Sequence, residues 1–275
     1  MNVVDIFKDS LVYPSKNWGK LLILGLLMLI PAIFAVFPVL ALLFGQFLGA
    51  AVLGIIAFVI ILILYLIIYG YSLSITKETI AGSEEFPEFE WVKNLIDGIK
   101  LFIVSIVYGI IPAAVTLLLA YVTGVFESFS NIMSYTAASY GANMSTAASG
   151  TPTVPPELVA NLWGSLAIVA IVGIILFILF GLLLNIAIAR LAETDSFVAA
   201  FSFGEIFDDI GKIGWGDYII WTILLIIIAF LFGILTGLVQ MIPVIGSIIA
   251  ALVIAPYILI FERRALGLIY NESKN

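Results

Sequence analysis

The run LLILGLLMLIPAIFAVFPVLALLFGQFLGAAVLGIIAFVIILILYLIIYGYSLSI, from Leu21 to Ile75, contains no Asp, Glu, Lys or Arg. A helix needs roughly 20 apolar residues to cross about 30 Å of hydrocarbon. The run is too long for one crossing and fits two, near 21–44 and 47–70, with a turn at Gly45-Gln46. Working outward, residues 101–126 and 160–189 predict a third and a fourth span. Tyr218 to Phe261 is again free of charge and predicts two more, turning at Met241-Ile242-Pro243. The expected fold is an all-α integral membrane protein with six transmembrane helices. A β-barrel is excluded, because its strands alternate lipid-facing and lumen-facing residues over about ten positions, whereas these runs are apolar throughout. The first span is longer than a signal-peptide core and no small-residue cleavage site follows it closely, so it is expected to be retained.

The 275-residue composition agrees: 63% is hydrophobic and 11% charged, against about a quarter charged in soluble domains. Soluble enzymes and nucleic-acid binders are thereby excluded. The chain has no Cys and no His, which removes disulfides, thiolate chemistry and the commonest general base and metal ligand. No cofactor is expected.

The eleven basic residues are Lys8, Lys16, Lys20, Lys77, Lys93, Lys100, Arg190, Lys212, Arg263, Arg264 and Lys274. All fall in segments 1–20, 71–100 and 190–217 or in the C-terminal tail. The connections near 45–46, 124–160 and 241–243 carry none. The positive-inside rule therefore places both termini and both charged loops in the cytoplasm. It leaves 124–160 outside as a Ser/Thr-rich, mobile stalk, with Asn143-Met144-Ser145 as a candidate glycosylation site at Asn143. A second sequon, at Asn271, lies on the cytoplasmic side and is expected to stay bare.

The chain reads as one membrane domain, 1–275, built from three parallel two-helix repeats: 1–86, 87–196 and 197–275. Each is expected to begin with a cytoplasmic amphipathic helix at the interface. Trp18-Gly19 and Trp215-Gly216 recur just before spans, and Ile-Pro recurs at Ile30-Pro31, Ile111-Pro112 and Ile242-Pro243. In the first copy Val3, Val4, Phe7, Leu11 and Val12 share a helical face. Trp18, Trp91 and Trp215 fit an interfacial aromatic belt.

The segments KDSLVYPSKNWGKLLILGLL (Lys8–Leu27) and YGYSLSITKETIAGSEEFPEFEWVKNLIDGIKLFIVSIVYGIIP (Tyr69–Pro112) resemble an archaeal integral-membrane family, domain of unknown function 4013. Lys77–Gly82 and Phe86-Pro87-Glu88-Phe89 carry most of the likeness, which extends well over about the first 120 residues. The resemblance implies a multi-pass archaeal plasma-membrane protein and supplies no site residue.

Several patterns carry candidate chemistry. Pro31, Pro112 and Pro256 fall mid-span and are candidate helix-break sites, each freeing the carbonyl four residues earlier, at Leu27, Tyr108 and Leu252. Broken helices near the midplane are where transporter sites are often built. Gly214-Trp215-Gly216-Asp217 spells the GxGD signature of intramembrane aspartyl proteases, whose chemistry needs a second carboxylate, here Asp97. Glu84, Glu85, Glu88 and Glu90, like Asp208 and Asp209, read as solvated acidic stretches without ligand spacing. Ala229, Gly233 and Gly237 form a small-residue stripe expected to serve internal helix packing. The spans themselves contain no ionisable residue of the kind that coupled transporters keep.

The leading expectation is a non-enzymatic scaffold or accessory component of the archaeal cell envelope, contacting membrane lipid and a membrane-protein partner or a second copy of itself. The alternatives are an uncoupled pore or carrier for a small neutral solute, and an aspartyl-type protease.

Overall fold

The computed structural model describes residues 2–146 and 154–274; the side chains of 141–146 are outside the description. Among the described residues there is no strand. Ten helices follow one another: α1 (Val3–Val12), α2 (Trp18–Leu43), α3 (Phe47–Ile80), α4 (Trp91–Val122), α5 (Val125–Thr146), α6 (Pro156–Thr194), α7 (Phe203–Ile213), α8 (Trp215–Gln240), α9 (Ile245–Ile249) and α10 (Ala255–Asn271). A π-helical turn, Ala250–Ile254, joins α9 to α10. Six helical segments are long and apolar enough to cross a membrane: α2, α3, α4, α6, α8 and the stretch Ile245–Lys274.

The turns sit where the charge-free runs predict them. Gly45 (φ 71°) closes α2 in the left-handed conformation that glycine adopts without a Cβ penalty. Helix lengths differ from expectation. α3 has 34 residues and α6 has 39, so at 1.5 Å per residue they run to about 51 and 58 Å, well past the hydrocarbon thickness. The excess lies at the charged ends, where hydropathy falls but nothing breaks the helix.

The chain forms two compact units, Met1–Ser105 with Leu183–Asn275, and Ile106–Leu182. In the larger unit the core lies at the charged ends of the helices. Ile6, Tyr13, Leu21, Tyr71, Ile75, Leu101, Tyr218, Trp221 and Phe261 are all fully buried. The charge-free stretches beyond them are largely open: only 6% of the apolar window of α8 is buried, and 11% of that of α2. Exposure near zero at one end and wide apolar exposure beyond it is the pattern of a chain solvated by lipid along its spans.

Two helices of the larger unit depart from the interfacial expectation. α1 buries Val3, Ile6, Phe7 and Ser10, leaving Val4 and Val12 exposed. Phe7 lies against Trp221 of α8 and Phe261 of α10, with ring centroids 6.3 and 6.1 Å away. The apolar face of α1 therefore rests on protein. α7 likewise buries Ile206, Ile210 and Ile213. No separate helix precedes the second pair of spans: residues 81–90 are turn and coil, and the segment 94–100 is the first part of α4 itself. Nothing interrupts the helix there. Before the other two spans the chain breaks at Asn17 (φ −143°) and at Gly214 (φ 94°).

In the smaller unit, the expected stalk is largely helical. α5 turns away from α4 at Gly124 (φ 75°), and Val125, Ser128, Ile132, Thr136 and Ser139 are its less exposed positions. That spacing of three and four is one helical face, hidden in the sequence because Ser and Thr share it with Val and Ile. Ser165 of α6 donates to the Thr123 carbonyl at 2.9 Å. Residues 147–153 lie outside the described residues.

Candidate functional site

Three ion-paired clusters gather buried or half-buried charges of the larger unit. In the first cluster, Arg264 of α10 is 4% exposed. Its Nε donates to Asp9 Oδ1 at 2.7 Å and its Nη1 to the Ser83 carbonyl at 2.8 Å. Its guanidinium lies 4.5 Å from the Tyr13 ring centroid. Burial pushes the Tyr13 hydroxyl up to about 12, with the Arg264 charge acting in the opposite direction. In the second, Arg190 holds Asp209 at 2.6 Å and also contacts Glu205, while Tyr270 donates to Glu193 at 2.6 Å. In the third, Lys100 bridges Asp97 at 3.1 Å and Asp195 at 2.7 Å, with Lys77 3.7 Å from Asp195. The Lys100 hydrogen bond holds the Asp195 carboxyl below its ordinary value.

The loop between α3 and α4 keeps its four glutamates exposed, as the sequence predicts, but docks through its aromatic side chains. Phe86 stacks on Tyr13 at 4.6 Å and Phe89 on Tyr71 at 3.9 Å. Tyr13 donates to the Glu85 carbonyl at 3.0 Å, and Lys20 to the Phe86 carbonyl at 2.9 Å. Glu84 and Glu88 stay exposed but pair with Lys16 and Lys20 at 3.0 and 2.6 Å. The acidic stretch is thus a strap, its aromatics inserted, with Glu84 and Glu88 tied to Lys16 just before α2 and Lys20 in its first turn.

Ten of the eleven basic side chains have a carboxylate within 4 Å, in pairs such as Lys93–Glu90 and Lys274–Glu193. Among the described residues, Arg263 is the one without. Its Nε is buried and has no hydrogen-bond partner. Arg263 and Glu262 line a cavity of about 470 Å³ between α3 and α10, walled by Tyr65, Ile68, Tyr69 and Ile258, with Met28 of α2. Ala251 of the π turn joins a wall on α10 that follows from helical spacing: Ala255, Ile258, Leu259, Glu262 and Arg263 recur at steps that share one face. A second cavity of about 330 Å³, walled by Phe58, Ile61, Leu62 and Phe102, shares Tyr65 and Tyr69.

The residues singled out by sequence are placed as follows. α2 runs on through Pro31, and α4 through Pro112. The Pro112 carbonyl accepts from Thr116 at 2.7 Å. Pro256 opens α10 just after the π turn. The Leu252 carbonyl, deprived of its usual partner by Pro256, faces Gly25 of α2 so closely that a Cβ there would stand 2.1 Å from it. Asn143 lies on the backbone of α5, and its side chain is outside the described residues. Asn271 donates to the Thr79 carbonyl at 3.2 Å. Asp97 is buried with Lys100, whereas Asp217 is exposed in the first turn of α8. Gly214 supplies positive φ and Asp217 a negative charge at a helix N-terminus. The small-residue stripe is not internal packing: a Cβ on Gly233 or Gly237 would meet nothing within 4 Å. The close approaches use other glycines. A Cβ on Gly70 would stand 1.7 Å from the Asn94 carbonyl, and one on Gly98 1.8 Å from that of Leu66.

The end of the last charge-free run at Phe261 predicts that Arg263 and Arg264 lie in a tail. They sit instead on α10, which continues the last span. The signal was present: Phe261 to Tyr270 keeps a helical apolar pattern in which only Glu262, Arg263 and Arg264 are charged.

The family described as Protein of unknown function (DUF4013) matches residues 52–241. The chain belongs to this family. The DUF4013 match leaves out the segment Lys8–Leu27, which carries part of the resemblance, and it reaches well beyond residue 120 into α8. It includes the strap Phe86–Phe89. No curated protein and no solved structure matches the chain.

Proposed function

We propose that this DUF4013 protein is a non-enzymatic scaffold or accessory component of an archaeal cell envelope, seated in the plasma membrane with both termini in the cytoplasm and the segment around α5 outside. One observation carries the reading: the larger unit locks its helix ends together with ion pairs and leaves the apolar faces beyond them unoccupied. Of its eleven basic side chains, ten are engaged with carboxylates; Lys8, Lys93 and Lys212 pair three residues away, and others join elements far apart in sequence, as Arg264 does with Asp9, Lys16 with Glu84 and Lys100 with Asp195. Polar groups spent in this way stiffen a base, while the open span faces are suited to lipid or to other membrane helices. The orientation is supported by the confinement of all basic residues to one set of helix ends. The three-repeat origin is supported by the positive-φ or extended break before α2 and α8 and by the pairing of α2 with α3 and the contact of α6 with the end of α4.

The test is purification of the tagged chain from its own membrane in mild detergent, with protein stoichiometry measured by quantitative mass spectrometry. A companion at about one copy per chain is expected. Recovery of the chain alone and monomeric, with its stability intact, would remove the scaffold reading. A second reading, an uncoupled carrier for a small neutral solute, is favoured by the cavity that adjoins the π turn and Pro256. Solute-dependent swelling of proteoliposomes would support it, and swelling no faster than in protein-free vesicles would end it.

A further inference from the structure

We propose that the cavity between α3 and α10 is a binding site for the headgroup of a phospholipid that carries both a phosphate and an ammonium, with the phosphate on Arg263 and the ammonium beside Glu262. Three observations converge. The first is charge. Arg263 and Glu262 line one cavity, and among the described residues neither has an ion-pair partner within 4 Å; Arg263 Nε is buried without a hydrogen bond. Unpaired charges away from water are costly unless a ligand satisfies them. A guanidinium is well matched to a phosphate, and the neighbouring carboxylate repels a purely anionic ligand while attracting an ammonium.

The second is depth. The α3–α4 contacts pair Gly70 with Asn94 and Gly98 with Leu66, so in this antiparallel register Trp91 stands level with Leu73. The Arg263 carbonyl accepts from Thr76 Oγ1 at 3.4 Å, which places Arg263 about 4.5 Å further toward the charged ends at 1.5 Å per residue. Trp91 is half-exposed at the start of α4, as Trp18 and Trp215 are at the starts of α2 and α8, and such rings sit at the headgroup level. Arg263 is therefore at phosphate depth.

The third is shape. From Arg263 the cavity passes Tyr69 and Ile68 to Tyr65 and Ile258, toward the apolar side, and its volume of about 470 Å³ suits a headgroup and the start of its chains. A soluble phosphate–ammonium compound shares the headgroup chemistry but has nothing to place against this apolar wall.

The full chain, purified and stripped of lipid in detergent, is titrated with dioleoyl phosphatidylethanolamine, dioleoyl phosphatidylglycerol or free phosphoethanolamine, and bound species are counted by native mass spectrometry. The phosphatidylethanolamine is expected to be retained at least tenfold better than the other two. Arg263→Gln should lower that retention at least tenfold, and Glu262→Gln should turn the preference toward phosphatidylglycerol. Lys212→Gln, at an exposed ion pair elsewhere, should change nothing. If Arg263→Gln does not fold, Ala255→Leu carries the test: it fills the apolar part, leaves both charges and should abolish retention. Equal retention of the two lipids by the unaltered chain, full retention in Ala255→Leu, or loss in Lys212→Gln would overturn the site. Free phosphoethanolamine bound as tightly as the lipid would overturn the lipid as its occupant.

Discussion

Val244 sets the turn between α8 and the last span, and it does so under strain. It has φ 62° and ψ −58°, and the Ile245 N–H donates to the Pro243 carbonyl at 2.7 Å. This is the γ-turn of the uncommon hand, poorly tolerated by a β-branched residue. Val244 is exposed, so its side chain contributes little burial. Val244→Gly is expected to raise stability by about 1 kcal/mol, read as an upward shift in thermal unfolding in detergent. Arg264 gives the opposite case. Arg264→Ala removes two hydrogen bonds to Asp9 and Ser83 and the contact with Tyr13, and should cost about 2–3 kcal/mol. A third residue-scale expectation concerns acid. Asp195 adopts φ 55° and holds Lys100. Its carboxyl, ordinarily near 3.8, is lowered chiefly by that hydrogen bond. The stability it confers is complete above its unfolded value and is lost as pH falls through the lower folded value. Asp195→Asn keeps the backbone conformation and removes the charge. The difference in unfolding temperature between the two proteins should narrow as pH drops below about 4, and a gap constant down to about pH 3 would count against the pair.

At the scale of elements, the crossing of α3 and α4 depends on two bare Cα atoms. Gly70 and Gly98 each face a carbonyl of the other helix, closer than any Cβ could be accommodated. Gly70→Ala and Gly98→Ala should each destabilise by about 1–3 kcal/mol or more, since backbone rather than a flexible side chain must move. Gly233→Ala on α8 should be neutral or favourable, because nothing stands within 4 Å and Ala is the better helix former. Thermal unfolding of the three variants side by side checks this, and equal losses in all three would contradict the packing. The strap between α3 and α4 belongs to the same scale. Its Phe-Pro-Glu-Phe motif was visible in the sequence, but its partners, Tyr13 and Tyr71, were not, because the pairing is made only when α1, α2 and α3 come together.

For the whole molecule, the decisive measurement is threading. Reporter tags at Glu84 and at Ser145 are expected to face opposite compartments, as labelling with a membrane-impermeant reagent would show. Tags facing one compartment would undo the assignment of both loops. The two units should differ in resistance to exchange. The larger one holds the fully buried aromatic core and the charge clusters, and local opening is suppressed where burial and hydrogen bonding are densest.

The sequence by itself determined the six spans and the turns at Gly45 and near Pro243, because a charge-free run of 55 residues has only one low-energy solution in hydrocarbon. It also determined the confinement of every basic residue to one set of helix ends. Only the tertiary structure decided how far the helices extend beyond the hydrocarbon, since there hydropathy no longer discriminates and packing takes over. It also decided that α5 is helical, that Gly25, Gly70 and Gly98 rather than the α8 stripe admit a neighbour, and that Arg264 finds Asp9 while Arg263, among the described residues, has no carboxylate within 4 Å. Adjacent positions on a helix point about 100° apart. Two arginines side by side in the chain thus meet different surroundings, and no local pattern says which one faces the core and which one lines a cavity.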